Sequence, residues 1–120
     1  MEDIRIGNDI KVLWRIVTGD GEQPYGLEEK KLSLYMRHPF GKIEITDFSV
    51  KGNALEFMFW GKDQKYTGCY AFTLVENDGI EGMHTVDACD AFCLVSCSCK
   101  AGGDADSKVE LVHLELKGTM

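Results

Sequence analysis

The amino-acid sequence predicts an all-β fold, an antiparallel β-sandwich of about seven or eight strands. Apolar and polar residues alternate in short segments from Ile10 to Leu116. A period of two indicates strands with one buried and one solvated face. The clearest segment carries Leu55, Phe57 and Phe59 on one face. Turn residues interrupt the pattern roughly every ten positions, a spacing typical of a sandwich or a small barrel.

The individual elements follow from this alternation and from the turn residues between segments. Gly, Asp and Asn tolerate the backbone angles of tight turns, and Pro39 lacks the amide donor that a central strand needs. Within residues 42–50 the alternation changes phase, which indicates a bulge or a crossing between two sheets. Loops are predicted at residues 77–83 and 100–107. The predicted strands are residues 9–17, 31–37, 42–50, 91–99 and 108–117, with two further strands that contain Leu55 and Tyr70.

The inward faces of these strands supply the predicted core. Trp14 is in phase with its apolar neighbours in the first strand, so its indole is expected inside the sandwich. The predicted core residues are Ile10, Val12, Trp14, Ile16, Leu32, Leu34, Leu55, Phe57, Phe59, Tyr70, Phe72 and Leu74.

Length and composition indicate a single domain over residues 1–120, since no Pro- or Ser-rich linker divides the chain. The formal charge of −7 argues against nucleic acid and against an anionic membrane surface as partners. The N-terminus lacks the pattern of a signal peptide, so we expect synthesis in the cytoplasm. The last predicted strand ends close to Met120. This end is either an ordinary short tail or the point where an N-terminal module precedes the rest of a longer protein.

Five cysteines are the first candidates for chemistry. Cys89, Cys93, Cys97 and Cys99 fall within eleven residues, and Cys69 stands alone. Cysteines on one face of a strand are about 7 Å apart, too far for one tetrahedral metal site or for a disulfide within the strand. Without a signal peptide, we expect free buried thiols. A structural metal site and a cross-strand disulfide from Cys69 remain the alternatives.

No catalytic motif interrupts the alternation, and we expect a protein that is not an enzyme. His38, His84 and His113 are isolated, although a Cys–His pair assembled in space remains open. The acidic turns at residues 20–22 and 104–106 lack the ligand count of an EF-hand loop. The sequence therefore predicts no catalytic residue, no cofactor and no bound metal.

Trp60 and Tyr66 are the predicted contact residues for a ligand or a partner. Trp60 ends its strand on the face opposite Phe57 and Phe59, beside a turn at Gly61, and Tyr66 follows that turn. Exposed aromatic residues at a strand end stack on sugar rings or anchor a protein partner. The alternative is that Trp60 covers the edge of the second sheet.

Four segments carry a resemblance to a known family. They are the strand DIKVLWRI that opens at Asp9, the Pro24-Tyr25-x-Leu27 connection, the Leu32-x-Leu34-Tyr35 strand and the segment Thr67-Gly68-Cys69-Tyr70-x-Phe72-x-Leu74. Together they resemble the N-terminal domain of phage baseplate upper proteins, in particular those in prophages of gut Bacteroidetes. The last segment is also similar to the G-x-Y turn and strand of immunoglobulin-like sandwiches, in which the Tyr fixes a corner.

The resemblance implies an immunoglobulin-like adaptor domain that joins fibre or receptor-binding parts to a phage baseplate, and it brings no catalytic residues. We therefore predict an immunoglobulin-like topology and a non-catalytic structural or assembly function. The expected partners are other protein chains, either baseplate and fibre components or further copies of this chain. The resemblance also implies that the chain, once synthesised, becomes part of a virion or a tail-like particle.

Two other functions remain as alternatives. A carbohydrate-binding or adhesin module would use Trp60, Tyr66 and loop carboxylates at one end of the sandwich to bind a glycan. A small hydrolase would need a pocket that joins a His to a Cys or to a carboxylate. The fold itself does not choose among these functions, because sandwiches host all of them.

Overall fold

A computed structural model describes residues 2–19, 23–96 and 111–119 of the chain. In these residues the chain forms nine strands and one 3₁₀ turn at Gly61–Asp63. None of the described segments contains a helix long and apolar enough to cross a membrane. The strands are β1 (Glu2–Arg5), β2 (Ile10–Val17), β3 (Leu32–His38), β4 (Gly41–Ile45), β5 (Phe48–Lys51), β6 (Ala54–Phe59), β7 (Gly68–Glu76), β8 (His84–Val95) and β9 (Val112–Thr119).

The strands form two sheets that pack face to face, which confirms the predicted β-sandwich. The first sheet has the order β1-β8-β7-β3-β4, and the second has the order β5-β6-β2-β9. Two pairs, β1 with β8 and β2 with β9, are parallel, so the sheets are mixed rather than purely antiparallel. Alternation within a strand does not specify the direction of a distant partner, which is why the sequence pattern missed this. The immunoglobulin-like topology stays a prediction.

The predicted core is confirmed almost completely. Of its twelve residues only Leu32, at the start of β3, is half-buried rather than buried. Phe92 of β8 is a core residue that the prediction did not include. Its ring stacks on Tyr70 at 5.1 Å and lies 5.9 Å from the ring of Phe72, measured between centroids. An aromatic group shared by both sheets therefore occupies the centre of the sandwich.

The change of phase in residues 42–50 is a crossing between the two sheets. β4 is the last strand of the first sheet, and β5 is the edge strand of the second. Ile45 and Phe48 flank the crossing, and both pack against the core from their own sheet. The predicted crossing is confirmed, and it places β4 and β5 on the same side of the sandwich.

β8 is longer than predicted because a bulge hides its alternation. It begins at His84 rather than at residue 91, and it ends at Val95. Phe72 pairs with Ala88 whereas Tyr70 pairs with Phe92, so three residues of β8 face a single residue of β7. Because the insertion adds two residues, Val86, Ala88, Phe92 and Leu94 all stay on the core face, and the period of two is interrupted only between Ala88 and Phe92.

The expectation of free thiols is wrong for Cys69 and Cys93, which form a disulfide between β7 and β8. The two residues are direct partners in the antiparallel register, where opposite Cβ atoms come close enough for a bridge. The bulge brings them into register, so spacing along the sequence did not reveal the pair. Cys89 is free and exposed. Cys97 and Cys99 lie outside the described residues.

Candidate functional site

Large apolar side chains are exposed at the end of the sandwich that holds the β3–β4 turn and the β6–β7 connection. Phe40 is 75% exposed, Ile43 48%, Trp60 43% and Tyr66 40%. We call these four residues the apolar patch. It contains both predicted contact residues, Trp60 and Tyr66, together with two residues that the sequence analysis did not select.

The β3–β4 turn is fixed against the start of β7. Pro39 leaves so little room that a Cβ atom at Gly68 would lie 2.6 Å from the Pro39 Cγ atom. Gly68 also has a φ of +123°, a conformation that L side chains rarely adopt. Only glycine fits here, and the close contact holds the turn that presents Phe40.

Tyr66 lies between His38 and Phe40. Its ring is stacked on the His38 imidazole with the centroids 5.3 Å apart, and Phe40 meets it edge-on at 4.8 Å. The backbone N–H of Phe40 donates a hydrogen bond to Nδ1 of His38 at 3.2 Å. The stacked imidazole lies over the Tyr66 ring, so Tyr66 is a wall of the patch that packs against the β3–β4 turn rather than an open platform.

Gln64 positions the connection that carries Trp60 and Tyr66. Its buried side chain accepts a hydrogen bond from the N–H of Gly7 and donates one to the carbonyl of Asn8, both at 2.7 Å. A neutral amide thus ties the β6–β7 connection to the β1–β2 connection. Because amides do not titrate, this attachment is independent of pH.

The 3₁₀ turn after Trp60 has a second attachment to the same β1–β2 connection. Asp9 accepts a hydrogen bond from the backbone N–H of Gly61 through its Oδ1 atom at 2.8 Å. Gly61 also packs directly on the backbone of Gly7, with no room for a Cβ atom. Asp9 and Gln64 therefore fix the turn at both ends, and Trp60 projects from a rigid base.

Two hollows lie between these side chains, and Asp63 lines both of them. The first, about 360 Å³, has apolar walls from the buried residues Met36, Phe59 and Tyr70, and Ile43 and Tyr66 also line it. The second, about 480 Å³, lies along the β4–β5 crossing and is more polar. Its lining consists of Ile45, Thr46, Asp47, Phe48, Ser49, Glu56, Phe57, Met58, Trp60 and Asp63.

Tyr70 closes the bottom of the first hollow as a neutral phenol. Burial raises its pKa above the ordinary value near 10. Its hydroxyl donates a hydrogen bond to the carbonyl of Tyr66 at 2.6 Å. Tyr70 therefore supports the Tyr66 backbone from below and carries no charge at neutral pH.

His38 and Asp63 both line the first hollow, which is the combination that the hydrolase hypothesis needs. Among the described residues, however, no hydrogen bond or ion pair joins the two side chains. His38 is instead engaged with the Phe40 amide and with the Tyr66 ring. In the same part of the chain, no three His, Cys, Asp or Glu side chains are grouped to hold a metal ion.

β4 borders the first hollow as an exposed edge strand. Its first four residues are exposed, and only Ile45 is half-buried. The hydrogen bonds between β3 and β7 show which residues of β3 bond to β4. The N–H of Asn77 donates to the carbonyl of Lys31 at 2.9 Å, which extends the β3–β7 register by one pair, so the odd-numbered residues of β3 bond to β7. Because bonded sides alternate along a strand, the even-numbered residues of β3 then bond to β4.

This alternation sets which backbone groups of β4 are free. In the β3–β4 register, Gly41, Ile43 and Ile45 pair with the even-numbered residues of β3, so their N–H and C=O groups point inward. The N–H and C=O groups of Lys42 and Glu44 consequently point away from the sheet. No described strand lies beyond β4 in this sheet. The outer edge of β4 is therefore a row of unpaired donors and acceptors.

The sequence analysis missed Phe40, Ile43 and Gln64 for different reasons. Phe40 follows Pro39 in a two-residue turn, and an apolar residue at a turn tip was an available signal. Ile43 alternates correctly, but it is 48% exposed and does not belong to the core, whereas Ile45 of the same strand packs against it; alternation does not report this difference. Gln64 is buried by contacts with a segment more than fifty residues away, for which the sequence has no signal.

Comparisons of the chain with protein families, with curated proteins and with solved structures find no match. The resemblance to phage baseplate upper proteins therefore stays a prediction from the sequence.

Proposed function

We propose that this protein is a non-catalytic binding module that acts in assembly through protein–protein contacts. The observation that carries the proposal is the placement of the exposed β4 edge directly beside the apolar patch. Soluble proteins ordinarily protect such edges and expose few large apolar groups together. An edge and a patch that lie side by side match a surface that binds an extended polypeptide.

Backbone pairing would supply one part of the recognition. An extended partner strand placed beside β4 would pair with the outward N–H and C=O groups of Lys42 and Glu44. This mode of binding adds a strand to an existing sheet and needs no conformational change in the sandwich. It gives affinity with little dependence on the sequence of the partner.

The first hollow would supply the specificity. Met36, Phe59 and Tyr70 give it apolar walls, and Ile43 lies on the side of β4. A partner strand on β4 directs every second side chain toward this face of the sheet. An aliphatic or aromatic side chain of the partner would therefore enter the hollow, in the manner of a buried anchor residue.

The proposed setting is a virion or a tail-like particle, as the resemblance to phage baseplate proteins implies. The Cys69–Cys93 disulfide supports this setting, because disulfides persist in oxidising surroundings. The frame beneath the patch relies on this covalent bridge and on the neutral Gln64 amide.

Selection from a random 12-residue peptide display library, on immobilised protein, tests the proposal. We expect enriched peptides with alternating apolar residues and a dissociation constant near the micromolar range. Glu44→Pro should weaken their binding about tenfold or more, because it removes an outward N–H at a position where an edge strand tolerates proline. Phe40→Ser should weaken it as well. Glu44→Gln, which keeps the N–H, is the control. Peptides that bind equally well to wild type and Glu44→Pro would contradict the proposal.

A carbohydrate-binding function is the second candidate, and the second hollow favours it. There the exposed indole of Trp60 lies beside Asp47, Ser49 and Glu56, an aromatic face with polar groups that hydrogen-bond hydroxyls. A glycan array probed with wild type and with Trp60→Ala tests this function. Binding that Trp60→Ala abolishes and Glu44→Pro leaves intact would favour the glycan over the polypeptide.

A further inference from the structure

We infer that the occupant of the β4 edge is a second copy of this chain, paired with β4 in an antiparallel, two-fold symmetric arrangement. The inference rests on the proposed function and names its partner. Its basis is the sequence of β4 itself, in which Lys42 and Glu44 flank Ile43 with opposite charges. Both charged residues are exposed, and both carry the unpaired backbone groups of the edge.

When a two-fold axis passes through Ile43, every outward N–H and C=O group of Lys42 and Glu44 gains a hydrogen-bond partner. Lys42 of one copy then lies opposite Glu44 of the other, and the reverse pair forms on the other side of the axis. Both members of each pair direct their N–H and C=O groups outward, so each pair exchanges two backbone hydrogen bonds. Four such bonds join the two sheets, and the same surface is used on both copies.

The charges select this register over its neighbours. In the chosen register each ammonium faces a carboxylate across the new strand pair, which is favourable. A shift of two residues in one direction places Lys42 opposite Lys42, and a shift in the other direction places Glu44 opposite Glu44. A shift of one residue turns the apolar face of one strand toward the solvated face of the other. Only the pairing centred on Ile43 matches both charge and face.

The apolar residue at the centre gains most from this pairing. Ile43 is 48% exposed in the single chain, and its side chain lies on the face of the first hollow. In a pair centred on Ile43 the two isoleucine side chains meet at the close, non-hydrogen-bonded position of the antiparallel ladder. The pair covers apolar surface that a lone chain leaves in water, and it extends the five-stranded sheet to ten strands.

The charges on the outer face of the sheet are consistent with this pairing. Arg37 of β3 lies beside Lys42, so two positive groups are neighbours in the single chain. The Lys42 ammonium also lies 4.7 Å from the centroid of the Tyr35 ring, which holds it near the sheet surface. A carboxylate from the second copy at this position would offset the repulsion between the two cations.

Light scattering across a concentration range tests the inference. We expect wild-type protein to approach twice the 13.4 kDa mass of the chain as its concentration rises. Lys42→Glu places like charges opposite each other at both symmetric positions, so it should raise the dissociation constant about tenfold or more. The double substitution Lys42→Glu with Glu44→Lys restores opposite charges in the same register. It should return the dissociation constant to within about threefold of wild type.

Matched variants separate this effect from a general change of charge or stability. Lys51→Glu makes the same change of charge at an exposed residue of β5, and it should leave the dimer intact. Glu44→Pro removes an outward N–H and should give a monomer whatever the charges are. Circular dichroism and the midpoint of thermal unfolding confirm that each variant is folded.

Three results would overturn the inference: a wild-type monomer up to about 1 mM, a dimer that Lys42→Glu does not weaken, or a charge swap that does not restore association. A wild-type monomer that still selects β4-dependent peptides would overturn the two-fold pairing alone and leave the proposed function standing. If the wild-type dimer is weakened by Lys42→Glu and restored by the charge swap but selects no peptides, the proposed function is restricted to self-assembly.

Discussion

The end of the sandwich that carries the apolar patch has a disulfide and a buried neutral amide among its attachments, together with the Asp9 carboxylate, whereas Glu76 at the opposite end is held through its charge. At the patch end, the Cys69–Cys93 disulfide joins β7 to β8, and the buried Gln64 amide joins two connections. At the opposite end, Glu76 accepts a hydrogen bond from the Tyr25 hydroxyl at 2.6 Å and pairs with Lys30 at 3.7 Å.

The difference shows that the two ends respond to different conditions. A disulfide and a buried amide are insensitive to salt and, near neutral pH, to protons. Partly exposed ion pairs are screened by salt and change with ionisation. The disulfide and the Gln64 amide thus give the patch end two attachments that do not depend on salt. Substitutions at each attachment test this contrast, from the strongest attachment to the weakest.

Removal of the disulfide is expected to have the largest effect. Cys69→Ser with Cys93→Ser opens a bridge between residues 24 apart in the sequence, and loss of this constraint should lower the free energy of unfolding by about 3 kcal/mol. Urea unfolding measures the change, and a reductant should produce the same loss in wild type. Cys89→Ser is the control, because that thiol is free and exposed. A loss below about 1 kcal/mol would show that the bridge does not hold the patch end.

Gln64→Ala is expected to have the next largest effect. It leaves the N–H of Gly7 and the carbonyl of Asn8 without their partner in a part-buried site, which costs about 1–3 kcal/mol. The loss should be equal at low and high salt, and hydrogen exchange at Gly7 should become faster. Lys65→Ala, an exposed neighbour, should change stability by less than about 0.5 kcal/mol. A loss that depends on salt would contradict the neutral character of the Gln64 attachment.

Tyr25→Phe tests the charged end and should cost about 1 kcal/mol at neutral pH. The hydrogen bond to Glu76, followed by burial, raises the pKa of Tyr25 in the folded state. The folded state therefore holds this proton more tightly than the unfolded state. The resulting stability is fully present below pH 10, the ordinary tyrosine pKa, and is lost as pH rises through the raised value.

Urea unfolding between pH 8 and pH 11 measures this dependence. The difference in stability between wild type and Tyr25→Phe should shrink above pH 10. Glu76→Gln keeps an acceptor but removes the charge, so it should show a smaller alkaline loss than wild type. If the difference in stability is unchanged across this range, the pKa of Tyr25 is the same in the folded and the unfolded state, which would contradict the prediction.

Ile43→Thr is expected to have the smallest effect on stability. The side chain is half-exposed, and threonine keeps the branched shape that strands favour, so the change should be within about 0.5 kcal/mol. The same substitution should weaken association of the chain, as light scattering would show. Met36→Thr, at the buried partner position in β3, is the matched contrast and should cost about 2 kcal/mol or more. Equal losses at the two positions would contradict the view of β4 as an open edge.

The sequence by itself determined which residues face the core. Alternation with a period of two places successive side chains on opposite faces, so residues such as Trp14, Leu34 and Phe72 could be assigned inward without knowledge of their partners. The phase change before Phe48 likewise encoded the crossing between sheets. The exposed aromatic residues Trp60 and Tyr66 were found because they lie at the end of a strand, beside a turn.

Only the tertiary structure decided how the strands meet. β1 pairs in parallel with β8, and β9 pairs in parallel with β2, although the paired segments are far apart in the chain. The Cys69–Cys93 bridge depends on a register that the bulge in β8 sets. Phe40 and Tyr66 form one surface because the β3–β4 turn packs against the start of β7. A local pattern reports the burial of a strand's own face, whereas the edges and ends of a sandwich are shaped by contacts between segments far apart in the chain.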